Sequence, residues 1–196
     1  MGAQRTLGDR SSRSSQLRLP CLSTVIWLFQ VHGAGGQTRV IDVIKGEGVG
    51  LAWYVQELER SPERHGRPIS WLWGDHILPH DGAVRELGTG QTRVETLAGY
   101  GFHATICPNL PVEDGIQAAR RLLPRCWFDK ARCAKGLEAL RMYRRDYDER
   151  REEFRVKPVH DWTSHYADAF RYFAVGYRPP LASSYRRIRR DNRWVV

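Results

Sequence analysis

Three aspartates and a histidine stand where they could work on one substrate. Asp81 follows the apolar run Ile77-Leu-Pro, and Asp161, His165 and Asp168 fall within Asp161-Trp-Thr-Ser-His-Tyr-Ala-Asp-Ala-Phe-Arg-Tyr172. On a helix the last three occupy i, i+4 and i+7, one stripe of one face. Tyr166, Phe170, Phe173 and Tyr177 form a second stripe roughly 140° around the axis, suited to a core. Clustered carboxylates repel one another unless a cation neutralises them, and all-oxygen ligand sets suit Mg2+ or Mn2+. Two such ions sharing carboxylates activate a water and stabilise the leaving oxygen of an in-line phosphoryl displacement. Asp81 and Asp168 are the candidate catalytic ligands, with Asp161 as a third acid. His165 is a candidate supporting group behind the ligands or a phosphate contact. Helix caps or solvent-facing acids would give the same spacing, and a structural histidine the same His165.

The surrounding sequence predicts the elements that must carry these groups. Residues 24–31 are β-branched and aromatic, residues 38–44 repeat the pattern, and Gly33-Ala-Gly-Gly36 between them predicts a hairpin. Leu51, Tyr54, Val55 and Leu58 mark an amphipathic helix after a glycine-rich break. Residues 69–73 and 76–78 read as a central strand that ends at Pro79 and delivers His80 and Asp81. A helix is expected over 92–100, a strand over 102–107, a helix over 112–123, a long charged helix over 130–153 and the acidic helix over 164–176. Strands alternating with helices define an α/β domain with a mixed sheet, and sites in such sheets form at the carboxyl ends of strands. Residues 1–20 are Ser/Arg-rich and read as disordered, and residues 178–196 carry six arginines as a loose basic tail. The expected organisation is an atypical segment 1–22, a domain over 23–177 and the tail 178–196.

A formal charge of +9 favours a polyanionic partner, although the same balance also serves solubility. Arg85, Arg93, Arg144 and Arg145 are candidate phosphate contacts without base readout; for the latter pair a solvated helix face is the alternative. Cys21, Cys107, Cys126 and Cys133 lack metal-ligand spacing and read as free thiols. The longest apolar run, 25–31, is too short to cross a bilayer, so a soluble intracellular protein without a membrane partner is expected.

Other motifs are weaker. Gly46-Glu-Gly-Val-Gly50 lacks the third glycine of a dinucleotide fingerprint, since Leu51 stands at the corresponding step. His76, His80 and Asp81 could be ligands of a histidine–aspartate phosphohydrolase, but those motifs are helical and this stretch reads as a strand end. Asp42, between Ile41 and Val43, is expected on the solvent side of its pleat.

Several longer words carry a resemblance. Ile77-Leu-Pro-His-Asp81-Gly-Ala-Val-Arg85-Glu-Leu-Gly-Thr-Gly90, Val112-Glu-Asp-Gly-Ile116, Arg121-Leu-Leu-Pro-Arg-Cys-Trp-Phe128 and His160-Asp-Trp-Thr-Ser-His-Tyr-Ala-Asp-Ala-Phe-Arg-Tyr172 resemble the nuclease domain of tailed-phage terminase large subunits, in order and from about residue 23 to 176. The resemblance implies a ribonuclease H-like fold and an endonuclease dependent on Mg2+ or Mn2+ that cuts double-stranded viral DNA during packaging. It also implies Asp81 and Asp168 as metal ligands with Asp161 beside them. The small terminase subunit and the portal protein would be protein partners, and the location would be the cytoplasm of a bacterium carrying a prophage. Two features depart from the family. The chain has no phosphate-binding loop of an ATPase motor. Where the family places an Asp on its first strand, this chain has Leu17-Arg-Leu-Pro-Cys-Leu22, as in a truncated or frame-shifted gene. The expectation is therefore either a working nuclease or a catalytically dead remnant that binds DNA or other packaging subunits.

Overall fold

The computed structural model describes residues 23–32, 37–66 and 71–177. The expected glycine reversal at 33–36, the segment 1–22 and the basic tail lie outside the described residues.

The fold begins with the expected hairpin: β1 (Ser23–His32) and β2 (Gln37–Glu47) pair antiparallel, with a register shift at Leu28/Phe29. Alternation divides their apolar residues between two cores. Val25, Trp27 and Val40 enter one; Leu28 and Ile44 enter the other. α1 (Leu51–Glu59) turns Tyr54, Val55 and Leu58 into the second core, and the short α2 (Ser61–Arg64) follows. The glycine-rich break has a packing reason rather than a ligand one, because a Cβ on Gly46 would lie 2.5 Å from the Tyr54 hydroxyl.

β3 (His76–Leu78) is shorter than expected; residues 71–75 run without regular structure, with Trp71 and Trp73 packed on the second core and Leu72 exposed. α3 (Arg93–Gly99) starts at a reciprocal cap, in which the Thr92 hydroxyl accepts from the Glu95 amide and the Glu95 carboxylate from the Thr92 amide. β4 (Ala104–Ile106) then pairs parallel to β3 in a separate two-stranded sheet. α4 (Val112–Leu122) leads to β5 (Cys126–Phe128), which joins the first sheet parallel to β2, giving the order β1-β2-β5 among the described residues.

The long helix expected over 130–153 is instead α5 (Ala134–Met142) followed by a hairpin of β6 (Arg145–Asp148) and β7 (Glu153–Pro158). Beyond Met142 the sequence has no apolar stripe to bury, and helices draw most of their stability from such packing. Tyr147 and Phe154 meet edge-on across the hairpin at 5.2 Å instead.

α6 (Trp162–Gly176) is the last described element, a helix as expected, with Tyr166, Phe170 and Phe173 buried. The Trp27 indole donates to the Tyr166 carbonyl (3.0 Å), and its ring meets Phe128, Tyr166 and Phe170 edge-on. Helices α4, α5 and α6 thus share the first core on one face of the sheet, while α1 shares the second. The result is a mixed α/β fold with flanking helices, as the sequence predicts.

Asp42 is buried, not solvent-facing. Both faces of β2 are covered, so pleat alternation offered it no wet side; its carboxylate instead meets His65 Nε2 at 3.3 Å and the Arg64 guanidinium at 3.6 Å.

Candidate functional site

Asp81 sits in a single 3-10 turn (His80–Ala83) directly after β3, where Pro79 ends the strand. The turn packs closely: a Cβ on Gly82 would come within 3.1 Å of Leu78 and 3.2 Å of Ile106. Asp168 lies in the body of α6, turned away from the Tyr166–Phe170 core stripe. Both acids face one cleft, together with Glu86, Arg93, His165 and Tyr172. Tyr172, one helical turn after Asp168, feels both carboxylates; burial raises its phenol above the ordinary value, and Asp168 and Asp81 add to the rise while Arg171 opposes it.

Each candidate acid has an arginine. Asp81 accepts from Arg93 at 3.2 Å, and the same guanidinium reaches Glu86 at 3.4 Å. Asp168 accepts from Arg171 at 3.0 Å; Arg171 is largely buried, and its stem fills space left by Gly115 of α4. Asp161 does not line the cleft. It is the N-cap of α6, accepting from the Thr163 amide (2.8 Å) and hydroxyl (2.5 Å), with Arg144 at 3.4 Å. The Thr163 hydrogen bonds hold its carboxyl below the ordinary carboxylate value.

His165 lies on the cleft wall, its ring 5.6 Å from that of His160. Burial, then His160 and Lys45, depress its pKa, with Asp168 and Glu47 pulling the other way. The remaining arginines singled out from the sequence are also paired. Arg85 donates to the Gly90 carbonyl at 2.7 Å and meets Glu95 at 3.6 Å, and Arg145 pairs with Glu113. His76 stands apart from Asp81 in role, since its ring packs edge-on to Phe102 at 5.0 Å and burial lowers its pKa. Cys107, Cys126 and Cys133 are free; burial pushes the Cys133 thiol up to about 12 and Cys126 to about 11, so neither is a ready nucleophile.

Sequence reasoning did not single out Glu86 or Tyr172. Both lie within the words that carried the resemblance, and Tyr172 stands at i+4 from Asp168, a spacing that puts it on the same helical face.

A two-ion phosphodiester centre needs a carboxylate bridging both ions and further oxygens around them. Among the described residues, no three His, Cys, Asp or Glu side chains stand together so as to hold a metal ion. Asp81 and Asp168 are moreover already neutralised by guanidinium groups. The residues described do not fit a complete two-metal site.

This arrangement of hairpin, flanking helices and acid-bearing cleft shares its fold with part of a phage large terminase. The structure is similar to the large terminase of a thermophilic bacteriophage, with a TM-score of 0.54 and 19% sequence identity over 78% of this chain and 36% of that one. At that identity the likeness is one of fold, and the matched region spans about a third of that terminase. No family model and no curated protein matches the chain. Among the described residues, no helix is long and apolar enough to cross a membrane.

Proposed function

We propose that this chain is a terminase-type DNA-packaging module of ribonuclease H-like nuclease ancestry, which binds double-stranded DNA and whose own carboxylates support little or no cleavage. The observation that supports this reading is that Asp81 and Asp168, from separate elements, line one cleft and each pairs with an arginine. Acids in that position suit the oxygen preference of Mg2+ or Mn2+, but a bridging third carboxylate is lacking among the described residues. With a net charge of +9, the duplex backbone is the natural polyanion. Arg85, Arg93, Arg144 and Arg145 would contribute phosphate contacts by exchanging their acidic partners for phosphate oxygens. The small terminase subunit and portal protein are the protein partners this reading assigns.

The test is fluorescence anisotropy of a labelled duplex over a salt series. Neutralising several phosphates releases counterions, so affinity should fall at least about tenfold between 50 and 200 mM salt, similarly for unrelated duplexes. Affinity independent of salt, or no binding at low salt, contradicts the reading.

A further inference from the structure

The arginines beside Asp81 and Asp168 are held by carboxylates, but positive charge without such partners lies elsewhere. Residues 120–145 hold nine Lys and Arg against only Asp129 and Glu138. β5 runs through this stretch, and strand alternation fixes where its side chains go. Cys126 and Phe128 pack on the first core, so Trp127 between them points out of the opposite face of the sheet. It is 66% exposed, and among the described tryptophans it alone is exposed. Arg39 of β2 pairs in register with Trp127, and its neighbours Thr38 and Val40 are buried. Arg39 therefore shares the outward face, one strand spacing of about 4.8 Å away. Arg125 and Lys130 lie two and three residues from Trp127 along the chain, which keeps their Cα atoms within about 11 Å of it. Among the described residues, neither Arg39 nor Lys130 has a carboxylate partner. Nor does a cation cover the Trp127 indole there, as Lys135 covers Trp162 at 4.2 Å. None of Trp127, Arg39, Arg125 and Lys130 lines the cleft of Asp81 and Asp168.

We propose that this face binds single-stranded DNA, with an unpaired base stacked on Trp127 and the flanking phosphates on Arg39 and Lys130. The chemistry of the patch selects this occupant. A positive surface calls for a polyanion, and an open indole adds a flat apolar face that favours another π system. A duplex meets the first demand but not the second, because its bases already stack on one another. An acidic peptide supplies charge without a base. A single strand supplies both: its bases lie on aromatic side chains while cations track its backbone, whatever the sequence. The inference goes beyond the proposed function, which concerns duplex DNA, and uses a surface apart from the cleft.

The test is fluorescence anisotropy of a labelled oligothymidylate of about fifteen nucleotides, near the upper end of single-strand site sizes, with the 196-residue chain. A duplex of equal length is the second probe. Trp127→Ala should weaken oligothymidylate binding at least about tenfold, the loss of one stacked base. Trp127→Phe keeps a ring to stack and should lose less than about threefold. Both variants should melt as the native chain does, since Trp127 is exposed, and should bind the duplex equally well. Arg39→Gln and Lys130→Gln should each reduce the slope of log affinity against log salt by about 0.7, one phosphate contact on a single strand. Oligothymidylate binding that is absent, or indifferent to Trp127→Ala, overturns the inference, and if the duplex still binds with the expected salt dependence the proposed function stands without it. Equal losses in the Ala and Phe variants, or a duplex weakened as much as the single strand, would also overturn it. So would displacement of the oligothymidylate by poly-glutamate of equal charge as readily as by unlabelled oligothymidylate, which would make an acidic polypeptide the partner.

Discussion

At the scale of single residues, the two cleft acids differ in a way that decides how they should be probed. The Asp81 side chain is 53% exposed and its ion pair with Arg93 is solvated, so Asp81→Asn should change stability by less than about 0.5 kcal/mol. Asp168 is the partner of Arg171, whose side chain is only 11% exposed. Asp168→Asn weakens the compensation of a buried charge and should cost about 1–3 kcal/mol. Thermal or urea unfolding of the two variants checks this; equal losses would show that the Arg171 pair carries no special weight. His165 and His76 make a further prediction. Burial lowers both folded pKa values below the ordinary 6.5. The unfolded chain then binds protons first as pH falls, so stability is full above 6.5 and declines as pH drops through 6.5 toward the lower folded values. His165→Gln should flatten part of that decline in a urea-unfolding series; a steeper one would mean that His165 is favoured in its charged form.

At the scale of elements, legibility followed periodicity. The hairpin of β1 and β2 and the apolar stripe of α6 could be read because each repeats over many residues and each faces a core. β5 could not, since three residues show no period, and its place is set by the pairing of Thr38 with Cys126 and Val40 with Phe128. The hairpin of β6 and β7 was mistaken for helix because strongly charged helix formers imitate a helix where no packing partner exists. For the candidate site, the strand exit and the helical stripe point to Asp81 and Asp168, and both line one cleft. Their arginine partners were not, since Arg93 and Arg171 gain meaning only from the fold, and Asp161 shares the stripe yet serves as a cap. Three element-level outcomes follow. Asp161→Ala should destabilise by about 1 kcal/mol through loss of the cap of α6. Gly136→Ala should cost about 1–3 kcal/mol, because its Cβ would enter the space of the Trp27 indole. Glu152 sits at a φ of 53° in the turn between β6 and β7; Glu152→Gly should therefore gain on the order of 1 kcal/mol by removing left-handed strain. Melting temperatures measured for all three check the signs, and a stabilised Gly136→Ala would show that the contact with Trp27 is loose.

At the scale of the molecule, a basic mixed α/β domain with a terminase-like fold presents a cleft whose acids are tied up by its own arginines. Among the described residues that leaves a metal no group of three ligating side chains, and each of the two cleft aspartates is already paired. On the proposed function, binding and cutting separate, and only cutting needs a third ligand. On that reading, Leu17→Asp combined with Leu19→Gly, to match the first-strand segment of terminase nucleases, should raise Mn2+-dependent cleavage. The most direct measurement is conversion of supercoiled plasmid to the nicked form by the purified 196-residue chain in Mn2+, beside Asp81→Asn, under conditions where both bind DNA. The expected result is nicking by the native chain no faster than by Asp81→Asn. Brisk nicking by the native chain that Asp81→Asn abolishes would contradict the claim that its site is incomplete.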